Sequence, residues 1–110
     1  MSKEIYVVGM GPGEESMMTG QAIEVLEKCD VIIGYTVYLD LLGARFADKE
    51  FLSTPMRQET KRCRMCFEKA MEGKRVAMVC SGDAGIYGMA CLMLEIGKEY
   101  PDCEVVVIPG

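Results

Sequence analysis

Histidine is absent from the 110 residues, which removes the commonest general base and the commonest metal ligand. Long apolar runs are absent too, and nothing approaches the roughly 20 residues that a membrane span needs. The start, Met1-Ser2-Lys3-Glu4, leads into Ile5-Tyr6-Val7-Val8, which is too short for the core of a signal peptide. Positive charge is scarce: 12 Lys and Arg stand against 17 Asp and Glu, for a net charge of −5. A fold-wide electrostatic grip on nucleic acid is therefore not expected. No Gly-Lys-Ser/Thr occurs, so there is no Walker A phosphate loop. Internal repeats, low-complexity segments and linkers are lacking as well. The expectation is one cytoplasmic domain with neither a nucleic acid nor a membrane as partner.

Half of the residues are hydrophobic, enough to bury a core. Six cysteines fall at 29, 63, 66, 80, 91 and 103. An even count in a short chain can signal a disulfide framework, but at least three of these lie inside apolar periodic patterns, where cysteine acts as a small buried hydrophobe. Cys63 and Cys66 have C-x-x-C spacing, yet they sit mid-helix on an apolar face. A redox pair belongs at a helix N-terminus, and no second C-x-x-C supplies a zinc partner. Reduced thiols that bind no metal are expected.

Apolar runs and helical patterns alternate five times. Strands are predicted at Ile5 to Val8, Val31 to Ile33, Phe51 to Ser53 (weak), Val76 to Cys80 and Glu104 to Ile108. Thr19 looks like an N-cap, followed by Ala22, Val25, Leu26 and Cys29 on one helical face. Tyr38 to Leu42 forms a short helix with Gly43 past its end. Cys63, Cys66, Phe67 and Ala70 share a face that Arg62, Arg64, Glu68, Lys69 and Glu72 avoid, and Gly73 closes that helix. A last helix from about Ile86 to Lys98 is hydrophobic nearly all round, which reads as burial. The fold class is therefore α/β, a five-stranded, mainly parallel sheet flanked by helices. Right-handed crossovers gather every strand-to-helix loop at one edge, where ligands of open α/β sheets bind. The glycines collect there: Gly9, Gly11 and Gly13, then Gly34, then Gly82 and Gly85. The fifth strand has just reached that edge when the sequence stops, so residues 1–110 are expected to be a domain of a longer protein.

Gly9-Met10-Gly11-Pro12-Gly13 follows a strand but fits the dinucleotide fingerprint poorly. Pro12 has no N–H for a pyrophosphate, Glu14 and Glu15 would repel one, and the second strand ends in Gly34-Tyr35 and not in a ribose-binding acid. The glycines either permit a tight turn or let an uncharged or cationic adenosyl group approach the backbone. In Ser81-Gly82-Asp83-Ala84-Gly85-Ile86-Tyr87-Gly88, Asp83 is either a helix N-cap or a carboxylate for a ribose hydroxyl or a substrate. Arg57, Lys61, Arg62 and Arg64, against Glu59, form either a solvated helix face or a docking surface for carboxylates.

Val8-Gly9-Met10-Gly11-Pro12-Gly13, with Met18-Thr19, Ala22, Leu26 and Cys29-Asp30-Val31-Ile32-Ile33-Gly34-Tyr35, resembles the opening signature of the tetrapyrrole methylases. Ser81 to Ala90 resembles their second signature, and Val107-Ile108-Pro109-Gly110 the start of a third. The resemblance covers the whole chain but only the amino-terminal domain of such an enzyme. Within the family, Gly34 to Leu42, Met56 to Cys63 and the Gly-Ile-Tyr-Gly-Met-Ala run look most like the branch acting in cobalamin biosynthesis on precorrin-3B. The relatives that make sirohydrochlorin precursors carry an aspartate, proposed as a base, where this chain has Tyr35, so the base is unassigned here.

The resemblance implies S-adenosylmethionine-dependent methyl transfer to C17 of a precorrin-3B-type tetrapyrrole, coupled to ring contraction. It implies cofactor contacts from Gly11, Pro12, Ser81, Gly82, Asp83 and Ile86, and substrate contacts from Tyr35, Arg57 and Arg62. It also implies a second domain that completes the cleft, and a homodimer of the full-length enzyme. Another precorrin methyltransferase of the family, a non-catalytic nucleotide-binding module and a structural domain whose glycines serve turns alone are the alternatives.

Overall fold

The computed structural model describes residues 3–10, 19–42, 46–55, 57–80 and 84–108. The elements run β1 (Lys3–Gly9), α1 (Gly20–Lys28), β2 (Val31–Tyr35), α2 (Thr36–Leu42), β3 (Glu50–Thr54), α3 (Glu59–Met71), β4 (Val76–Cys80), α4 (Ala84–Gly97) and β5 (Cys103–Ile108). The strands form one five-stranded sheet in the order β3-β2-β4-β1-β5, and every pairing in it is parallel. The expected α/β architecture is therefore found; β4 has the bounds expected of it, and the other four strands are longer by a residue or more. The weak third strand is an outer strand, paired only with β2.

The crossovers explain the layers. From β1 the chain passes β4 to reach β2, then β3; it then returns to β4 and passes β1 to reach β5. Right-handed connections moving in opposite directions place their helices on opposite faces. On one face, Ala22, Val25 and Leu26 of α1 pack with Tyr6, Val8, Ile32, Ala77 and Val79. On the other, Cys63, Cys66, Phe67 and Ala70 of α3 and Ile86, Met93 and Ile96 of α4 pack with Ile5, Val7, Val31, Ile33, Val76 and Met78. β1 and β4, at the centre, are apolar on both faces because both faces are covered.

The local stops match their residues. The Thr19 hydroxyl accepts from the Ala22 N–H at 3.1 Å, which caps α1. Gly73 ends α3 with φ of 92°, a left-handed conformation that glycine adopts without penalty. Gly43 lies outside the described residues. Phe67 and Tyr100 stack with ring centroids 4.8 Å apart and planes 7° apart, tying α3 to the turn after α4.

Two expectations change. Arg62 does not avoid the core: it is 9% exposed. And α4 is not buried all round. Ile86, Ala90, Met93 and Ile96 are buried, but Tyr87, Cys91 and Leu94 are exposed, because a helix lying on one face of a sheet has only one side to bury.

All six cysteines are free, and Cys29, Cys63, Cys66 and Cys80 are buried. Burial pushes the thiols of Cys29 and Cys63 from an ordinary 9.0 up to about 11, and that of Cys80 up to about 12. Cys66 is raised well above its ordinary value by the same cause. Iodoacetamide at pH 8 is therefore expected to label exposed Cys91 first and the four buried thiols only after denaturation, read by mass spectrometry. Because the folded state holds these thiols protonated, their contribution to stability is complete below pH 9 and is lost as pH climbs toward 11–12.

Candidate functional site

β1 and β4 are neighbours with Gly9 opposite Cys80, and the Met10 N–H donates to the Cys80 carbonyl at 3.0 Å. Beyond this point the two chains part. The segment after β1 leads to α1 on one face, and the segment after β4 leads to α4 on the other. Adjacent strands whose connections diverge in this way form a topological switch point, and the crevice between them is where open α/β sheets take ligands. Both glycine-rich segments leave from this one place. β5 lies on the other side of β1 with Ile108 opposite Val8, so the chain next leads out of the sheet at the same edge.

Of the residues expected to contact a cofactor, Gly11, Pro12, Ser81, Gly82 and Asp83 lie outside the described residues. Ile86 is 1% exposed and is buried with Cys80 beneath the start of α4. Gly9, Met10, Cys80 and Ile86, which border the crevice, carry no charged side chain. These four residues would not neutralise a diphosphate.

The three residues expected to contact a substrate share the same edge, on the other half of the sheet. Tyr35, at the end of β2, pairs in register with Thr54 at the end of β3; its ring meets Tyr38 edge-on, with centroids 5.9 Å apart. Arg62 Nη1 donates to Thr54 Oγ1 at 2.7 Å and to the Pro55 carbonyl at 3.3 Å, and Glu59 stands 4.0 Å from its Nη2. Arg57 is exposed with φ of 69°. A strand spacing of about 4.8 Å puts the end of β3 about 10 Å along the edge from that of β4 and about 14 Å from that of β1. The other two cations of the group are elsewhere engaged or in solvent: Arg64 is paired with Glu99 at 3.1 Å, and Lys61 is exposed.

The clamp from Arg62 to Thr54 was not foreseen in the sequence. Arg62 precedes Cys66 by four residues, so helical spacing alone sets it on the shoulder of the apolar stripe; its charge concealed that signal.

A separate cleft of about 510 Å³ opens at the opposite edge, lined by Lys3, Glu4, Tyr6, Lys28, Ala70, Gly73, Lys74 and Arg75. It lies at the strand starts, far from the glycine segments. Two of its four cations have local partners: Lys28 stands over the Tyr6 ring in the last turn of α1, where a positive charge complements the helix dipole, and Lys74 pairs with Glu50 at 3.1 Å. Among the described residues no cluster of three or more His, Cys, Asp or Glu could hold a metal ion, and no helix is long and apolar enough to cross a membrane.

The family model for Tetrapyrrole (Corrin/Porphyrin) Methylases matches residues 4–110. The chain belongs to that family. It is 47% identical over 107 residues to a probable cobalt-factor III C(17)-methyltransferase of Salmonella typhimurium, covering 96% of this chain and 44% of that protein. It is 37% identical over 115 residues to a cobalt-factor III methyltransferase of Priestia megaterium, covering all of this chain and 21% of that protein. In fold it matches the crystal structure of the methyltransferase CobJ with a TM-score of 0.85 and 32% identity, over 99% of this chain and 46% of that one. The chain thus spans less than half the length of the relatives it matches.

Proposed function

We propose that this chain is the cofactor-binding, amino-terminal domain of an S-adenosylmethionine-dependent methyltransferase of cobalamin biosynthesis. The methyl acceptor is C17 of a precorrin-3B-type or cobalt-factor III-type tetrapyrrole, and methylation is coupled to ring contraction. The observation that carries this reading is the pairing of Gly9 with Cys80: two glycine-rich segments leave neighbouring strands at the one switch point of a tetrapyrrole methylase sheet. The 47% identity to a C(17)-methyltransferase supports the choice of acceptor. A second domain forms the far wall of the cleft, and the complete enzyme works as a cytoplasmic homodimer.

In this reading S-adenosylmethionine brings a methyl group already activated on a sulfonium. The protein's task is then alignment and exclusion of water, not generation of a nucleophile. Gly11, Pro12 and Gly82 leave room for the cofactor against the backbone. Ser81 and Asp83 offer acceptors for its hydroxyls or ammonium, and Ile86 supports the floor. Tyr35 and the exposed Arg57, on the β3 side, face the macrocycle. A site without histidine is compatible with this chemistry, because the methyl donor needs no general base for its own activation.

The test is isothermal titration of the full-length, two-domain enzyme that contains this chain with S-adenosylmethionine and, separately, with NAD and ATP, followed by transfer of isotopically labelled methyl to precorrin-3B or cobalt-factor III. Saturable heat with S-adenosylmethionine alone and one labelled methyl on C17 are expected. Heat with NAD or ATP and none with S-adenosylmethionine would return the chain to the nucleotide-binding alternative.

A further inference from the structure

The β3–α3 turn carries two features that methyl-donor binding does not require. Arg57 is the one non-glycine residue with positive φ among the described residues. A left-handed backbone is uncommon for a long side chain and costs free energy, so it persists only where something holds it. Arg57 is exposed, and among the described residues no carboxylate pairs with it. The second feature is Arg62, a guanidinium nine-tenths buried. It reaches back from α3 to hold the last residue of β3 through Thr54 Oγ1 and the first residue of the turn through the Pro55 carbonyl. Thr54 is itself 2% exposed. The clamp therefore fixes the chain just before Arg57, and α3 fixes it just after.

We infer that Arg57 is a specificity-determining residue that takes a carboxylate arm of the anionic macrocycle, and that Arg62 is the positioning residue that holds Arg57 at the sheet edge. This rests on the tetrapyrrole reading given above. The domain has a net charge of −5, so on this wall of the cleft a substrate bearing several carboxylates is attracted only by local cations. Arg57 supplies one three residues past the end of β3, a strand end that lies about 10 Å along the edge from that of β4 by strand spacing. That separation suits a substrate whose charged arms lie away from its reacting carbon. A planar fork is also the side chain best matched to a carboxylate.

The experiment uses the full-length, two-domain enzyme as wild type, Arg57→Gly, Thr54→Val and the double variant. It reads the melting temperature, the S-adenosylmethionine Kd, and KM and kcat for the tetrapyrrole and its carboxylate methyl ester. Glycine accepts positive φ freely, so Arg57→Gly is expected to melt at or above the wild-type temperature with an unchanged S-adenosylmethionine Kd. Its tetrapyrrole KM should rise about tenfold or more, the loss of one charge-assisted hydrogen bond. The methyl ester should not distinguish Arg57→Gly from wild type. Thr54→Val should raise KM for the acid substrate by a smaller factor, with no further rise when added to Arg57→Gly, since positioning matters only while Arg57 is present. An unchanged KM in Arg57→Gly, with wild type active, overturns the assignment of Arg57; a Thr54→Val effect that persists undiminished in the double variant overturns the positioning role. Wild type without methyl transfer or S-adenosylmethionine binding refutes the proposed function itself, and this inference with it.

Discussion

Phe67→Ala is expected to destabilise the domain by about 3–5 kcal/mol, the range found when a buried phenylalanine is truncated. Phe67 is fully buried, stacks on Tyr100 and packs close to Gly97, where an added Cβ would stand 3.3 Å from its Cζ. It therefore joins α3, the end of α4 and the turn into β5, and no neighbour is free to fill the cavity. At about 4–8 °C per kcal/mol for a domain of this size, the melting temperature should fall by more than 10 °C in thermal denaturation of the full chain. A fall of a degree or two would mean that these elements are not packed through Phe67.

Gly34→Val sets two effects against each other. Valine is the better strand residue, by up to about 1 kcal/mol. But a Cβ at Gly34 would stand 2.7 Å from Val79 Cγ2 and 3.2 Å from the Val79 carbonyl oxygen, with Leu39 Cδ2 at 3.5 Å. The carbonyl belongs to the central strand β4 and cannot retreat without breaking the sheet. Overpacking of this kind costs about 1–3 kcal/mol, and the two further methyls of valine add to it, so the strain outweighs the propensity. The variant should unfold at a lower urea midpoint than wild type, with the slope unchanged. A higher midpoint would show that propensity had prevailed. The same contact explains why a glycine interrupts the Val31-Ile32-Ile33 run: α2 begins directly after Tyr35 and Leu39 lies over the Gly34 position.

Much of the fold was legible because its residues obey a simple period. Ile5 to Val8 and Val76 to Cys80 are apolar on both faces, which only a doubly covered sheet requires, and Ala22, Val25 and Leu26 mark one side of a helix. Thr19 announced the start of α1 as a hydroxyl before that pattern. Strand order was not legible, since nothing in β4 says that it lies between β1 and β2; the sheet supplies that, and with it the switch point. The glycine segments were recognisable as breaks after apolar strands, but the adjacency of those strands emerged only from the register of Gly9 with Cys80. Arg62 misled because a charged residue beside Arg64 and Glu68 reads as solvated, whereas Thr54 and Pro55 give its guanidinium acceptors at the rim of the core. Arg57 stood out for its charge but not for its backbone, because no sequence pattern marks an arginine held at positive φ. Leu94 misled in the other sense: apolar composition does not say which side of a helix faces a sheet.

The most direct test of the account is calorimetric titration of S-adenosylmethionine into the full-length, two-domain enzyme and its Gly82→Val variant, with the melting temperature of each recorded. Gly82 follows Cys80 by two residues, where the chain leaves the central strand for α4, and a branched side chain there would occupy the space that the cofactor needs against the backbone. The account predicts saturable binding by wild type and loss of that binding in Gly82→Val at a nearly unchanged melting temperature. Equal affinity in the two proteins would place the methyl donor away from the crevice between β1 and β4 and contradict the account.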